Sequence, residues 1–410
     1  SYMAKKKSTA RQRDNKPPVF DYELFEGLID VMNIEIKLNL IAGEVEFTGI
    51  PAAECEASAA GNVAPQMLLD EAKRFYSRPS LEQVHNYIYR RAQRMRYNPV
   101  IDYLKAADAE IMASPAEYPN QNVSRLMDEV LHLHPEDWLS RTLVSKWLVQ
   151  SVAMAHNGLH GEPYGADGVL LFQGPQGAAK GRFFTLITPN NNWYREITHI
   201  DMNKTDSVFN AVSAWIIEVS EVDYTLKREQ AALKGFITQA KDNLRKPYAR
   251  APQNQPRRTS IGASVNNTAF LRDETGNRRW WTVSIDKCEW HLLEDKQFIK
   301  GIWAEAMAKY ISAPQSFRLT DSEREALSKR NGNFDVPLLG EDEIRTTYDW
   351  SAPLDDWHMR STAEIISETG MDRITPQQLG RALERISKDY PDTKKARTNK
   401  GTFYQLPPKG

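Results

Sequence analysis

"LFQGPQGAAKGRFF" (Leu171–Phe184) runs from apolar residues through glycines to a lysine, then into residues spaced as in a helix. That is the outline of a loop that cradles phosphates between a buried strand and a helix N-terminus. In such a loop the backbone lines the phosphates and Lys180 neutralises them. The candidate nucleotide-binding residues are Gly174, Pro175, Gln176, Gly177, Ala178, Ala179, Lys180, Gly181 and Arg182. The pattern G-x-x-x-x-G-K-[ST] is missed twice: Ala179 stands where a glycine belongs, and Gly181 where a hydroxyl would ligate Mg²⁺. Alanine disfavours positive φ by about 1 kcal/mol, and the penalty is slight if φ stays negative. Water, or a nearby acid such as Glu221, can stand in for the hydroxyl, because Mg²⁺ keeps several waters. Read alone, the stretch fits an ordinary Gly-rich turn as well.

The downstream residues decide between the two. "AWIIEVSEVD" is an apolar strand carrying Glu218 and ending at Glu221. Carboxylates there suit Mg²⁺ or polarise an attacking water, with Glu218 nearer the metal and Glu221 at the catalytic end. "TSIGASVNN" delivers Asn266 after its apolar run, placed to orient that water. "GNRRWW" sets Arg278 and Arg279 in a turn before another strand, where guanidiniums could reach a neighbour's γ-phosphate. The expected catalytic set is therefore Glu221, Asn266, Arg278 and Arg279, with Glu218 and Glu221 for metal.

The 410 residues carry a net charge of −1, so any nucleic-acid binding comes from local basic patches. Cys55 and Cys288 are the two cysteines, which argues against a disulfide framework and points to a reducing cytoplasm. No apolar run reaches the roughly 20 residues of a membrane span, and the basic, polar start has no apolar stretch of a secretory signal.

Texture divides the chain. Residues 1–20 read as a basic disordered arm. Residues 21–157 read as a mostly helical domain opening with a β-hairpin, in which Ile34, Ile36, Leu38 and Leu40 alternate before Val45 and Phe47. Helical stripes come next, at Leu81, Val84, Tyr87 and Ile88, and at Leu139, Leu143, Trp147 and Leu148. Residues 158–328 alternate short apolar runs with helices, the pattern of an α/β domain with a largely parallel sheet. Residues 329–350 read as a linker. In 351–410, "STAEIISETG" and "ITPQQLGRALERI" are two short helices, the second capped by Thr375 and Gln378. Its buried face is Leu379, Leu383 and Ile386, with Arg381, Arg385 and Lys388 outward. A basic hairpin with Lys394, Lys395 and Arg397 completes a winged-helix pattern.

Two histidine pairs, His132/His134 and His156/His160, lack the spacing or companion acid of a metal site.

The segments "WIIEVSEVD", "LKGFITQAKDNLRKPYAR" and "PRRTSIGASVNNTAFLRDETGNRRWW" resemble the virulence-associated E family of phage and genomic-island replication proteins. That family belongs with superfamily 3 helicases, ring-forming AAA+ ATPases. The resemblance implies an AAA+-like P-loop domain using ATP and Mg²⁺. It implies a homo-oligomeric ring, a hexamer, with single-stranded DNA in its pore, duplex at the winged helix and a separate primase as partner. It places Gly174, Gly177 and Lys180 on Walker A, Glu218 and Glu221 on Walker B, Asn266 on sensor 1, and Arg278 and Arg279 as fingers. Lys234, Asp242, Arg245 and Arg250 match an extra motif whose loop faces the pore. The same loop, with Lys241, Lys246 and Tyr248, interleaves basic groups with an aromatic, as single-strand binding wants. The competing expectation is a catalytically silent DNA-binding assembly that marks an origin or interferes with another replicon.

Overall fold

The computed structural model describes residues 16–410 except 114–120, 199, 202–203, 221, 223–232, 234, 246–247, 249, 272–276, 336, 372 and 400. Contacts divide the chain into two units, 1–268 with 275–331, and 269–274 with 332–410. Among the described residues no helix is long and apolar enough to cross a membrane.

The first unit opens with α1 (Tyr22–Val31), capped by Asp21, whose carboxylate accepts from the Leu24 N–H at 2.9 Å. The alternation at 34–47 forms the antiparallel hairpin β1 (Glu35–Asn39) and β2 (Val45–Thr48), with Leu38 opposite Val45. Helices α2 (Ala60–Phe75) and α3 (Leu81–Arg94) cover it, and β3 (Arg96–Tyr97) adds a parallel strand to β1. A capping box between Ser80 and Gln83 starts α3. From this box, Val84 and Ile88 point into the core while Leu81, at the first helical position, stays exposed. Residues 1–15 of the expected arm lie outside the described residues. Its last residues are not an arm: the Ser77 N–H donates to Pro18 O at 2.8 Å, and Phe20 is buried against Tyr76.

The rest of the unit is built on a five-stranded sheet. Its strands are β4 (Val169–Gln173), β5 (Tyr194–Ile197), β6 (Ile216–Val219), β9 (Ser260–Val265) and β10 (Trp280–Ser284), in spatial order β10-β4-β9-β6-β5. Every pairing is parallel. Burial on both faces explains why β4, β6 and β9 read as near-continuous apolar runs. The edge strand β5, polar and only four residues long, has no such signature.

Helices α4 (Pro99–Ala113) and α5 (Trp138–Ala155) precede the sheet, and α6 (Lys180–Ile187), α7 (Thr205–Val212), α8 (Lys296–Ser312) and α9 (Asp321–Gly332) are threaded through and after it. Helix α5 lies against β4, β9 and β10, and the stripe Leu139, Leu143, Trp147 and Leu148 is wholly buried there. Three buried tryptophans tie the helices down through their ring N–H groups. Trp147 Nε1 donates to Ile261 O at 2.9 Å, Trp215 to Ser151 O at 2.8 Å, and Trp303 to Ile187 O at 2.7 Å.

Between β6 and β9 the chain makes a hairpin of β7 (Lys241–Leu244) and β8 (Gln253–Pro256). Its base holds a buried ion pair. The Arg257 guanidinium, fully buried, donates through Nε to Asp242 Oδ2 at 2.9 Å and through Nη2 to Oδ1. The Phe236 carbonyl accepts from Nη1, and the Phe236 ring lies under the same group.

The second unit contains α10 (Glu341–Thr347), α11 (Thr362–Thr369) and α12 (Pro376–Asp389) with a three-stranded antiparallel sheet. Its strands are β11 (His358–Ser361), β12 (Lys395–Thr398) and β13 (Gly401–Leu406), in order β11-β13-β12. The expected cap forms, Thr375 with Gln378 starting α12, and Gly370 in the left-handed region ends α11. Leu379, Leu383 and Ile386 are buried with Ile344, Tyr348 and Leu406. Arg385 departs from the expected outward face. It is 9% exposed and pairs with Glu341 at 3.3 Å and Asp335 at 3.4 Å, acids too distant in sequence to be read from the helix pattern.

Removing one partner of a buried ion pair strands the other charge. Asp242→Ala should therefore destabilise the first unit by about 3–5 kcal/mol, read as a lower denaturant midpoint.

Candidate functional site

In a parallel sheet all carboxyl ends lie along one edge, where α/β proteins hold their ligands. Here that edge carries the loop 174–179 after β4, Asn266 after β9 and the end of β6. Strand β9 lies between β4 and β6, so residues far apart in sequence meet there.

The loop is built by close approaches. Gly174 donates to Val265 O at 3.3 Å, and a Cβ on it would stand 2.0 Å from Ile285 O. Gly177 turns the chain at φ 88. Pro175, Gln176 and Gly177 are exposed, whereas Ala178 is buried with its carbonyl accepting from the Cys288 N–H. Ala179 takes φ 59, ψ 31, the left-handed region. So the position that prefers glycine keeps its glycine conformation with a methyl on it, and the backbone is strained just before α6 begins.

Lys180, the first residue of α6, is 7% exposed. Its Nζ donates to Gly174 O and Pro175 O at 2.7 Å each, and to Asn266 Oδ1 at 2.8 Å. Burial pushes its pKa down, and the charge of Glu218 partly offsets this. The lysine and the strand-end asparagine, 86 residues apart, are in direct contact. Arg182 is exposed and stacks over the Trp290 ring, 4.5 Å from its centroid.

Glu218 lies inside the sheet at 1% exposure. Oε1 accepts from Ser264 Oγ and Oε2 from the Tyr194 hydroxyl, both at 2.8 Å. Burial raises its pKa, the two hydroxyl donors oppose the rise, and Glu196 on the neighbouring strand adds to it. A Cβ on Gly181 would come within 3.1 Å and 3.3 Å of the two carboxylate oxygens. A side chain after the lysine would therefore crowd this carboxylate. Glu218 is the acid the structure sets beside Gly181; Glu221 lies outside the described residues. Tyr194 and Ser264 were missed by the sequence reading. A hydroxyl inside an apolar run, as in "TSIGASV", was the signal for Ser264, and Tyr194 sits on the edge strand that has no clear pattern.

Arg278 and Arg279 form a 3₁₀ turn ahead of β10, at the amino end of the sheet. Since β10 runs parallel to β4 over five residues, they stand about 16 Å or more from the loop of the same chain. With Asp167, Thr238, Leu319 and Arg324 they line a cavity of about 230 Å³. Burial and the neighbouring Arg278 charge lower the pKa of Arg279.

The basic residues expected to meet DNA divide. Lys234 and Lys246 lie outside the described residues. Lys241 and Arg245 are exposed, Lys241 pairing with Glu162 at 3.3 Å. Asp242 is turned inward to Arg257. Arg250 reaches Glu82 at 2.6 Å, and the Tyr248 ring meets His85 at a tilt while its hydroxyl donates to Gly61 O, so this tip rests on α2 and α3. In the second unit Arg381, Lys394, Lys395 and Arg397 are exposed and Arg385 is not. Among the described residues no cluster of three metal-binding side chains occurs, and neither histidine pair forms one.

Residues 117–336, a little over half of the chain, match the model of the virulence-associated protein E-like domain, and the chain belongs to that family. Curated proteins give no match. Solved structures similar to it include the C-terminal region of NrS-1, residues 305–718, in its apo form (12% identity, TM-score 0.45, 97% of this chain and 100% of that one). Another structure of the same region has 12% identity and TM-score 0.47, covering 96% of this chain and 100% of that one. A third is Cch of SCCmec type IV, titled an active helicase (10% identity, TM-score 0.36, 70% of this chain and 69% of that one).

This geometry sets two expected outcomes. Ala179→Gly should relieve the left-handed strain and stabilise the protein by about 1 kcal/mol, measured by chemical denaturation. For Glu218 the folded pKa lies above the unfolded one. Its contribution to stability is present below the unfolded value and is lost as pH rises through the raised folded value. Glu218→Gln should therefore be the more stable form at about pH 8, with the difference vanishing near pH 4, in denaturation curves taken across pH.

Proposed function

We propose that this member of the virulence-associated protein E-like family is an ATP-driven DNA helicase or translocase of phage or mobile-element replication. The observation that supports this most is the meeting of Lys180, Asn266 and Glu218 at one sheet edge. A lysine at the start of α6, an amide just after β9 and an acid on β6 match what phosphoryl transfer from ATP to water requires: charge neutralisation, water orientation and proton or metal handling.

In this reading the loop 174–180 and the amino end of α6 receive the phosphates. Lys180 leaves the carbonyls of Gly174 and Pro175 for phosphate oxygens, and Asn266, freed from it, orients water. Mg²⁺ supplies charge neutralisation on the phosphates when bound. Glu218 would hold it, helped by Glu221, because the carboxylate stands where Gly181 brings no hydroxyl. Arg278 and Arg279 are too far from their own loop and serve that of a neighbouring copy. That requirement makes a ring, with six copies as the expected number and ATP between subunits. Lys241, Arg245 and Arg250 on the β7–β8 hairpin meet single-stranded DNA in the pore. The second unit is a winged helix engaging duplex through Arg381, Lys394, Lys395 and Arg397. A separate primase is the expected partner, and the host cytoplasm the place of action.

The silent DNA-binding assembly draws on one observation, the strained Ala179 beside a lysine already bonded to its own loop. One experiment separates the readings: ATP turnover with and without single-stranded DNA, alongside native mass. The motor should turn over faster with DNA, and Lys180→Ala should lower the rate at least about a hundred-fold. A rate indifferent to DNA and to Lys180→Ala would favour the silent assembly. Mixed Lys180→Ala and Arg279→Ala subunits should recover turnover that neither has alone.

A further inference from the structure

Beside the edge strand β5 lies a second concavity, a cleft of about 1000 Å³ separate from the phosphate loop. The β1–β2 hairpin, the start of α2, residues 190–195 and Tyr248 form its walls. Phe47, Tyr97, Trp193 and Tyr248 line it, and all four rings are only half-buried. They come from four separate segments, and each is held in place. Trp193 stands edge-on to Tyr103 and Trp215, and Tyr97 donates to Glu46. Tyr248 rests on His85 with its backbone at φ 65, a conformation costly for a bulky residue and concentrated at functional positions. Asn191 and Asn192 add exposed amides.

We propose that this cleft takes an unpaired nucleobase of a single strand, and that Tyr194 in its wall passes occupancy to Glu218. Flat rings bordered by amides offer both recognitions that a base needs, stacking on its faces and hydrogen bonding along its edge. The charged lining is Glu44, Glu46 and Arg195, with the acids in excess. It repels a phosphate backbone, so the base enters and the backbone stays outside. Tyr194 lines the cleft and its hydroxyl holds Glu218 Oε2 at 2.8 Å. A ring shifted by an occupant thus changes the hydrogen bonding of the buried carboxylate. The choice of a strand over a free nucleoside rests on the proposed DNA motor.

The test uses the full chain and two end-labelled strands of equal length, an oligothymidylate and its abasic counterpart, followed by anisotropy at one salt concentration. Equal phosphate number cancels the backbone contribution. The intact strand should bind at least about ten-fold more tightly. Phe47→Ala and Asn192→Ala should shrink that ratio several-fold; Asn192 is exposed, so its variant keeps the fold and its denaturation midpoint. A ratio left whole in both variants overturns the proposal. Free thymidine should displace the strand poorly, and displacement as effective as that by the strand would overturn the assignment to single strands. Tyr194→Phe should keep the base preference but abolish the strand's effect on the affinity for a fluorescent ATP analogue; an unchanged effect overturns the relay. The base preference should survive in Lys180→Ala, so failure of the nucleotide site and failure of the cleft are told apart.

Discussion

The buried carboxylate of Glu218 is the constraint around which the first unit is arranged. An acid inside a parallel sheet is tolerated only if its oxygens find donors. Ser264 on β9 and Tyr194 on β5 provide them from both sides. That demand places polar residues on three adjacent strands, and a Cβ at 181 would stand 3.1 Å and 3.3 Å from the same oxygens, so that the carboxylate would have to give by a few tenths of an ångström. The departure of the loop from its usual pattern at Gly181 is thus coupled to the acid next to it. What reads as a missing hydroxyl is room made for a carboxylate.

Ala179 is held differently: its methyl sits on a left-handed backbone but packs against the buried apolar cluster of the first unit, a contact that glycine would lack. The strain is stored immediately before Lys180, whose ammonium is turned onto loop carbonyls and Asn266. In the proposed reading, both features hold the loop in a shape that a phosphate would have to displace, so the competition would lie within the protein and not in a lack of charge.

Much of the architecture was legible because it depends on local pattern. Apolar runs announced β4, β6, β9 and β10, alternation announced the β1–β2 hairpin, and cap residues placed α11 and α12. Edge strand β5 was not legible, since "YREI" offers four residues of mixed character and no continuous run. Asp242 was expected on a pore-facing loop and Arg385 on an outer helix face; both turn inward. The partners responsible, Arg257, Glu341 and Asp335, lie 15 to 50 residues away, and ion pairs of that span leave no local trace. In the site, each strand-end residue could be named from sequence, but not the contacts among them. Lys180 with Asn266, and Glu218 with Tyr194, arise only from the strand order.

That order also dictates when the site can exist. Among the described neighbours in the five-stranded sheet, only β5 and β6 are consecutive in the chain; β4 is joined to them through β9. As the chain leaves the ribosome, β4 and its loop wait without a partner until residues 260–265 have been made. Pairings of this span close late and leave apolar strands uncovered meanwhile. The loop after β4 therefore acquires its shape only once Val265 and Asn266, which bond Gly174 and Lys180, have emerged. A nascent chain cut short before that strand would carry every residue of the loop and none of its form.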